Sequence, residues 1–278
     1  MNVYESRLRR VHQYIWDNPA GDLSLDALAD VAALSRFHFH RVYQALTGET
    51  AAQAVRRLRL HRAAYALTRC TGSVAQIAAE VGYDNPDSFK RAFRAQYGAT
   101  PAAFRKAGIA DLQTLHISIG EPNMYPTEIR ALPALRLATL PHRGAYHQIG
   151  RAFTDLGTIF TARNLWAPGM ALVGLYYDAP GDVPEEDLRS AAGVTVDEAF
   201  DMPDDLTEVR YPAGQTLILT VKGPYTTLPA AWQTLYASVL PASDQLPGND
   251  LPYEFYLNNP QDTAPEDLLT EIRVLLAA

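Results

Sequence analysis

Two regimes of patterning divide the chain. Up to about residue 108, apolar residues recur at intervals of three and four, the spacing that lines one side of an α-helix. Phe39, Val42, Tyr43 and Leu46 form one such stripe, and Phe89, Ala92, Phe93 and Tyr97 form another. Start and stop signals bracket the helices. Ser24 is placed to cap a stretch from Leu25 to Ala33, and Ser35 one from Arg36 to Leu46 that Gly48 ends. Thr50 opens a long helix to about Arg69, and after Gly72-Ser73 another runs from Val74 to Val81. Asn85-Pro86 supplies a cap and a first-turn proline for a helix that reaches Tyr97 and stops at Gly98. The pattern predicts an all-α unit over residues 1–108.

This unit repeats internally. Phe39, Arg41, Tyr43, Gly48 and Thr50 return fifty residues later as Phe89, Arg91, Phe93, Gly98 and Thr100. Each copy pairs a short helix with a second across a tight turn, a helix-turn-helix arrangement, and the long helix joins the two copies. Opposite the first apolar stripe lie Phe37, His40, Arg41 and Gln44; opposite the second lie Asp87, Lys90, Arg91 and Arg94, with Ser88 beside them. A helix anchored by aromatics that presents Arg, Lys, His and Gln on its other side suits the DNA major groove. One such face alone reads as a solvated surface, but two matching copies favour DNA.

Charge appears at first to oppose that reading, because the 278 residues carry a formal net charge of −7. The charge is unevenly placed. Residues 1–110 hold 15 Lys and Arg against 9 Asp and Glu, a balance of +6; residues 111–278 hold 9 against 22, a balance of −13. A basic unit fit for a polyanion is joined to an acidic one fit for something neutral or cationic.

Residues 25–105 resemble the AraC/XylS DNA-binding domain, and IAAEVGYDNPDSFKRAFRAQYGATPAAFR, Ile77 to Arg105, is similar to its signature. The resemblance implies two helix-turn-helix units entering successive major grooves about one helical turn apart. It places base contacts on Phe37, His40 and Arg41 in the first reading helix and on Asp87, Ser88, Lys90 and Arg91 in the second. Arg41 and Arg91 can each bind guanine through two hydrogen bonds. Arg56, Arg57, Arg59, Arg62 and Lys106 read as phosphate contacts or solvated charges.

A stretch over 109–126 containing Gly120, Pro122 and Pro126 reads as a linker. Beyond it the period changes. Leu135 to Leu140, Leu172 to Tyr177 and Thr216 to Val221 are short apolar or alternating runs separated by single helical segments, which predicts an α+β unit over 127–278. This half repeats at about eighty residues. Thr127-Glu128-Ile129-Arg130 matches Thr207-Glu208-Val209-Arg210, and Arg143-Gly144-Ala145-Tyr146 matches Lys222-Gly223-Pro224-Tyr225. Tyr176-Tyr177-Asp178 answers Tyr256-Leu257-Asn258, each followed by a Pro-Glu-Asp-Leu type of turn. Each repeat reads as strand, strand, helix, strand, strand, and two such units are expected to be pseudo-symmetric, with their helices bordering a shared groove.

Within the last repeat, the two-residue period puts Glu254 and Tyr256 on one face of a strand and Tyr253, Phe255 and Leu257 on the other. A carboxylate flanked by aromatics is expensive to bury unless it meets a cation or hydrogen-bond donors. Its counterpart is Gly174, so a single acidic group is expected to face an open space. Tyr146, Phe153, Trp166, Tyr176, Tyr225, Trp232, Tyr236 and Tyr256 are candidate aromatic walls, and aromatic faces with one carboxylate suit an organic cation.

LVGLYYDAPGDVPEEDLRSAAGVTV and YEFYLNNPQDTAPEDLLTEIRVLL resemble the two halves of the GyrI-like (SHS2) small-molecule-binding domain. The resemblance implies a groove that takes up hydrophobic, often cationic, molecules. It implies that Glu254 is the ligand-facing carboxylate and that Trp232 and Tyr256 face the groove, with Tyr176, Tyr225, Tyr146 and Phe153 as the further candidate ligand-binding walls. Where the family often has an aspartate after Leu-Arg, this chain has Ser190-Ala191-Ala192.

No phosphate-cradling loop, nucleophile elbow or zinc-histidine pair is present. His38 and His40 point apart on a helix, and His12, His61, His116, His142 and His147 show no ligand spacing, so polar surface roles are expected for the latter five. The lone cysteine, Cys70, excludes an internal disulfide, and no apolar run approaches the ~20 residues of a membrane span, which fits a cytoplasmic protein. Together these readings imply a one-component transcriptional regulator. It needs no cofactor or metal, binds double-stranded DNA and a hydrophobic small-molecule effector, is open to contact with RNA polymerase, and acts as a monomer or weak dimer. The alternatives are a GyrI-like hydrolase with Glu254 as general base, and a protein-interaction module like gyrase-inhibiting relatives.

Overall fold

A computed structural model describes residues 3–69, 72–107, 125–260 and 262–277, which fall into two compact units divided between residues 107 and 125. The stretch read as a linker lies outside the described residues except for positions 125 and 126, and Cys70 and His116 also lie outside them.

The first unit is helical: α1 (Val3–Asp17), α2 (Leu25–Ala32), α3 (Arg36–Thr47), α4 (Ala51–Arg69), α5 (Val74–Glu80), α6 (Pro86–Tyr97) and α7 (Pro101–Ala107). Local chemistry explains most boundaries. Ser24 Oγ accepts from the Ala27 amide, and Thr50 with Gln53 and Ser73 with Gln76 form reciprocal caps on α4 and α5. Asn85 Oδ1 accepts from the amides of Asp87 (2.8 Å) and Ser88 (3.1 Å) ahead of Pro86. Ser35, expected to cap α3, makes no side-chain cap bond. The aromatic stripe of α6 enters a core of Leu60, Leu67, Ile77, Phe89, Phe93 and Phe104, while α1 buries Tyr4, Leu8, Val11 and Ile15.

Several arginines serve this packing. Arg62 donates to the Trp16 carbonyl and Arg59 to that of Pro19 (2.7 Å), at and just beyond the end of α1. Arg7 reaches the carbonyls of Ala32 and Ala33 at the end of α2, and Arg105 those of Leu67 and Gly72 near the end of α4. A cation at a helix C-terminus satisfies orphan carbonyls and complements the helix dipole. Gly82 permits the approach beside Arg59: a Cβ there would stand 2.5 Å from the Pro19 carbonyl oxygen.

The second unit is one antiparallel sheet of eight strands with helices on one face. Its elements are β1 (Thr127–Leu132), β2 (Leu135–Arg143), α8 (Gly150–Ala162), β3 (Leu172–Tyr176), β4 (Arg189–Val196), β5 (Thr207–Tyr211), β6 (Gly214–Lys222), α9 (Leu228–Thr234), a π-helical turn over Leu235–Val239, α10 (Leu240–Ala242), β7 (Tyr253–Tyr256) and β8 (Leu269–Leu275). The strand order is β1-β6-β8-β7-β3-β4-β2-β5. Each opening strand is exchanged, β1 pairing with β6 and β5 with β2, and β3 and β7 meet at the middle of the sheet. Leu156 and Phe160 of α8 pack on Ala138, Ala192 and Val194. On the opposite face Leu137, Val173, Leu175, Tyr211 and Tyr253 cluster. The rings of Tyr211 on β5 and Tyr253 on β7 are 4.7 Å apart although three strands separate them, so the sheet curls toward that face into a half-barrel. Among the described residues no helix is long and apolar enough to cross a membrane.

Candidate functional site

The two helices read as groove readers differ in what they present. On α6, Asp87, Lys90, Arg91 and Arg94 are exposed and Ser88 is half-buried. Lys90 Nζ pairs with Asp87 Oδ1 at 3.1 Å, and Asp87 sits in the first helical turn, where a negative charge is favoured. On α3, Phe37, Arg41 and Gln44 are half-buried, and His40 is only 3% exposed. The expectation that His40 stands on an open face is therefore corrected: it is covered in this conformation. Position on the helical wheel says which side a residue takes, not what covers that side.

Behind α3, His12 Nε2 and the Tyr43 hydroxyl are 2.5 Å apart, beside an Arg57–Glu49 ion pair at 2.6 Å. Burial, then the Arg57 charge, pushes His12 down to about 4, with Glu49 opposing. His12 is half-buried and bonded within the fold, not the solvent-facing surface residue expected. Arg57, Arg59 and Arg62 likewise have partners within the fold, which leaves exposed Arg56 and Lys106 as the solvated cations of that set.

The second site lies on the helix-bearing face where β3 and β7 meet. Register sets Gly174 directly opposite Glu254. Glu254 is 2% exposed and its carboxylate accepts hydrogen bonds from both repeats: Tyr176 Oη (2.9 Å) and Tyr256 Oη (2.7 Å) donate to Oε2, and Trp232 Nε1 on α9 donates to Oε1 (2.7 Å). The two phenol oxygens are 3.3 Å apart. Neutral donors of this kind reduce the cost of burying a carboxylate. Burial, then the Glu254 charge, pushes both phenols well above their usual range.

Aromatic rings enclose this centre from both repeats. Tyr146 meets Tyr176 edge-on at 4.9 Å, Tyr225 meets Tyr256 at 5.3 Å, Phe153 of α8 meets Tyr256 at 5.5 Å, and Trp232 meets Tyr176 at 6.4 Å. Tyr236 stacks on Trp232 at 6.2 Å. The seven residues Glu254, Trp232, Tyr256, Tyr176, Tyr225, Tyr146 and Phe153 thus converge. Trp166 does not; it packs on Phe160 and is 45% exposed. The space above Gly174 is also not open as expected. A Cβ there would stand 2.7 Å from the Tyr256 hydroxyl and 3.1 Å from that of Tyr176, so the missing side chain makes room for the two phenols.

Two positioning residues escaped the sequence reading. Asp178 accepts from the backbone amide, Nε and Nη2 of Arg189 (2.8, 3.0 and 2.7 Å), and its own amide donates to the Tyr146 hydroxyl at 3.0 Å. This knot holds the ring that packs on Tyr176. Its signal was the correspondence of Asp178 with Asn258, whose Oδ1 accepts the Leu269 amide at 2.9 Å in the same kind of turn.

Residues 125–277, more than half of the chain, match the GyrI-like small molecule binding domain. The chain belongs to the GyrI-like family. Residues 28–107 of this GyrI-like protein match a helix-turn-helix domain. The chain is 35% identical across 96 residues to the MmsAB operon regulatory protein of Pseudomonas aeruginosa, covering 34% of this chain and 31% of that protein. It is 34% identical across 100 residues to the RCS-specific HTH-type transcriptional activator RclR of Escherichia coli (strain K12), covering 36% and 35%. The matched stretch therefore spans about a third of those relatives' length. The GyrI-like half superposes on the EcmrR C-terminal domain with TM-score 0.46 and 16% identity, covering 56% of this chain and 99% of that one. It superposes on a hydrolase from Listeria innocua with TM-score 0.37 and 10% identity, covering 54% and 91%. The chain thus joins an AraC-type helix-turn-helix domain to a GyrI-like domain.

Proposed function

We propose that this protein is a one-component, cytoplasmic transcriptional regulator and not an enzyme. Residues 1–108 bind double-stranded DNA, 109–126 link the halves, and 127–278 sense a hydrophobic, cationic small molecule. The observation that carries the sensing role is the Glu254 carboxylate, buried among aromatic rings and held by phenol and indole donors, a setting in which an organic cation gains both charge and ring-face attraction. Tyr176, Tyr225, Tyr256, Tyr146, Phe153 and Trp232 form the walls.

The GyrI-like half is read as two pseudo-symmetric units. Exchanging β1 with β5, β2 with β6, β3 with β7 and β4 with β8 and reversing the strand order returns the same order, which supports a twofold axis between β3 and β7. The helical half is read as two helix-turn-helix units, α2–α3 and α5–α6, joined by α4. Arg41 and Arg91 are the base readers, with Phe37, Gln44, Asp87, Ser88, Lys90 and Arg94 beside them. Two reading heads in one chain let a monomer or weak dimer contact two groove segments, within reach of RNA polymerase. The ligand acts by binding two arrangements of the halves with different affinity.

The test is to select DNA from a random pool with the full-length protein and measure affinity by fluorescence anisotropy. Arg91→Ala and Arg41→Ala should each weaken the selected site by about 1–3 kcal/mol and relax preference at one position. Unchanged affinity and preference in both variants would remove the DNA-reading assignment.

A further inference from the structure

The strands flanking the Glu254 centre carry buried polar atoms that the centre does not use. Ser190 on β4 is register partner to Tyr176 on β3 and to His142 on β2, so all three side chains share the helix-bearing face. Ser190 is 1% exposed, and neither its Oγ nor His142 Nε2, both shielded from solvent, finds a hydrogen-bond partner among the described residues. A buried hydroxyl or ring nitrogen left unmet costs free energy, so native proteins retain such groups where something satisfies them. Here two stand side by side next to a tyrosine that holds Glu254.

The other repeat differs. There Thr270, register partner of Tyr256, also has an unmet buried hydroxyl, but its neighbour on β6 is Val221, which offers nothing polar. The two-group polar patch is therefore one-sided. Ser190 is two strand spacings from Glu254 and two residues along, which places it about 12 Å away. The Ser190 hydroxyl both donates and accepts, and His142 Nε2 does one or the other according to its tautomer.

We infer that His142 and Ser190 form a second, polar subsite, and that the effector is an asymmetric molecule whose cation meets Glu254 while a hydroxyl or carbonyl arm about 10–12 Å away reaches these two groups over the β2–β4 side. This rests on the reading of Glu254 as the cation site. The arm hydrogen-bonds to groups that otherwise remain unmet, so the subsite discriminates among cations that Glu254 and the aromatic walls accept alike.

A matched pair of probes tests it: octyltrimethylammonium and (8-hydroxyoctyl)trimethylammonium, titrated calorimetrically into the full-length protein. The hydroxylated probe is expected to bind about tenfold more tightly. In the double variant Ser190→Ala, His142→Phe the ratio should fall to about one, with octyltrimethylammonium affinity within about twofold of wild type. Because Ser190→Ala removes an unmet polar atom, that single variant should fold with unchanged or raised thermal stability and lower the ratio on its own. Glu254→Gln should weaken both probes and leave their ratio intact. A wild-type ratio near one, or a ratio that survives the double variant, overturns the polar subsite, while weakening by Glu254→Gln still upholds the cation site. If neither probe binds, or Glu254→Gln weakens neither, the cation site and the subsite that depends on it both fall.

Discussion

Two carboxylates on neighbouring strands of the GyrI-like sheet are buried on opposite faces, and they are treated differently. Glu271 on β8 is 7% exposed and lies 2.6 Å from Arg273, whose guanidinium is in turn spread over the Phe255 ring at 3.7 Å. Glu254 on β7 is 2% exposed and takes its hydrogen bonds from two phenols and an indole. On the first face an opposite charge from the same strand completes the ion and leaves a structural element. On the second, the donors from Tyr176, Tyr256 and Trp232 are neutral and reduce the cost of burying the carboxylate. The lesson is that burial alone does not mark a site; the character of the partners does.

Breaking the structural pair should have the larger effect on stability. Arg273→Met leaves Glu271 buried beside an apolar chain, and the second unit should lose about 3–5 kcal/mol in urea unfolding followed by tyrosine fluorescence. A loss below about 1 kcal/mol would mean that Arg130, 3.9 Å from Glu271, already suffices. Next comes Gly174→Val, which drives a side chain into the Tyr176 and Tyr256 hydroxyls. It should cost about 1–3 kcal/mol by overpacking and abolish cation binding, whereas wild-type binding in the variant would show that the phenols are dispensable.

Trp232→Phe removes one donor from Oε1 and should cost about 1–2 kcal/mol, read from the same unfolding curves. The smallest effect belongs to alkaline pH. Tyr176 and Tyr256 hold their protons to higher pH in the folded state than near 10, the ordinary value. Their contribution is therefore fully present below pH 10 and is lost as pH rises beyond it toward the folded values. Absorbance titration of the phenols should show late-ionising groups that include Tyr176 and Tyr256 alongside buried Tyr43, and Glu254→Gln should move Tyr176 and Tyr256 earlier by removing the carboxylate charge, while burial still holds them above 10 and Tyr43 stays unchanged. Phenols that all titrate together near 10 would contradict the buried cluster.

Much of this was legible in the chain itself. Caps at Ser24, Thr50, Ser73 and Asn85 act within a few residues, so helix starts could be read from neighbours alone. Period-two alternation placed Glu254 and Tyr256 on one face, and the eighty-residue repeat set Gly174 as the counterpart of Glu254. What escaped depends on contacts between distant segments. The exchange of β1 and β5 cannot be read from either repeat alone, since each strand pairs outside its own copy. That tyrosine hydroxyls fill the room above Gly174 follows from ring directions across two strands. The arginines of α4 looked like solvated cations because the carbonyls they reach lie some forty residues away. His40 shared a helical side with Arg41, yet its burial depends on what packs there.

The most direct test of the Glu254 assignment is calorimetric titration of tetraphenylphosphonium, a lipophilic cation without hydrogen-bonding groups, into wild-type protein and Glu254→Gln, with unfolding curves confirming that both are folded. Affinity should fall at least about tenfold in the variant, the loss of one desolvated charge interaction among aromatic faces. Equal affinity in the two proteins would contradict the reading of Glu254 as the carboxylate that holds the ligand.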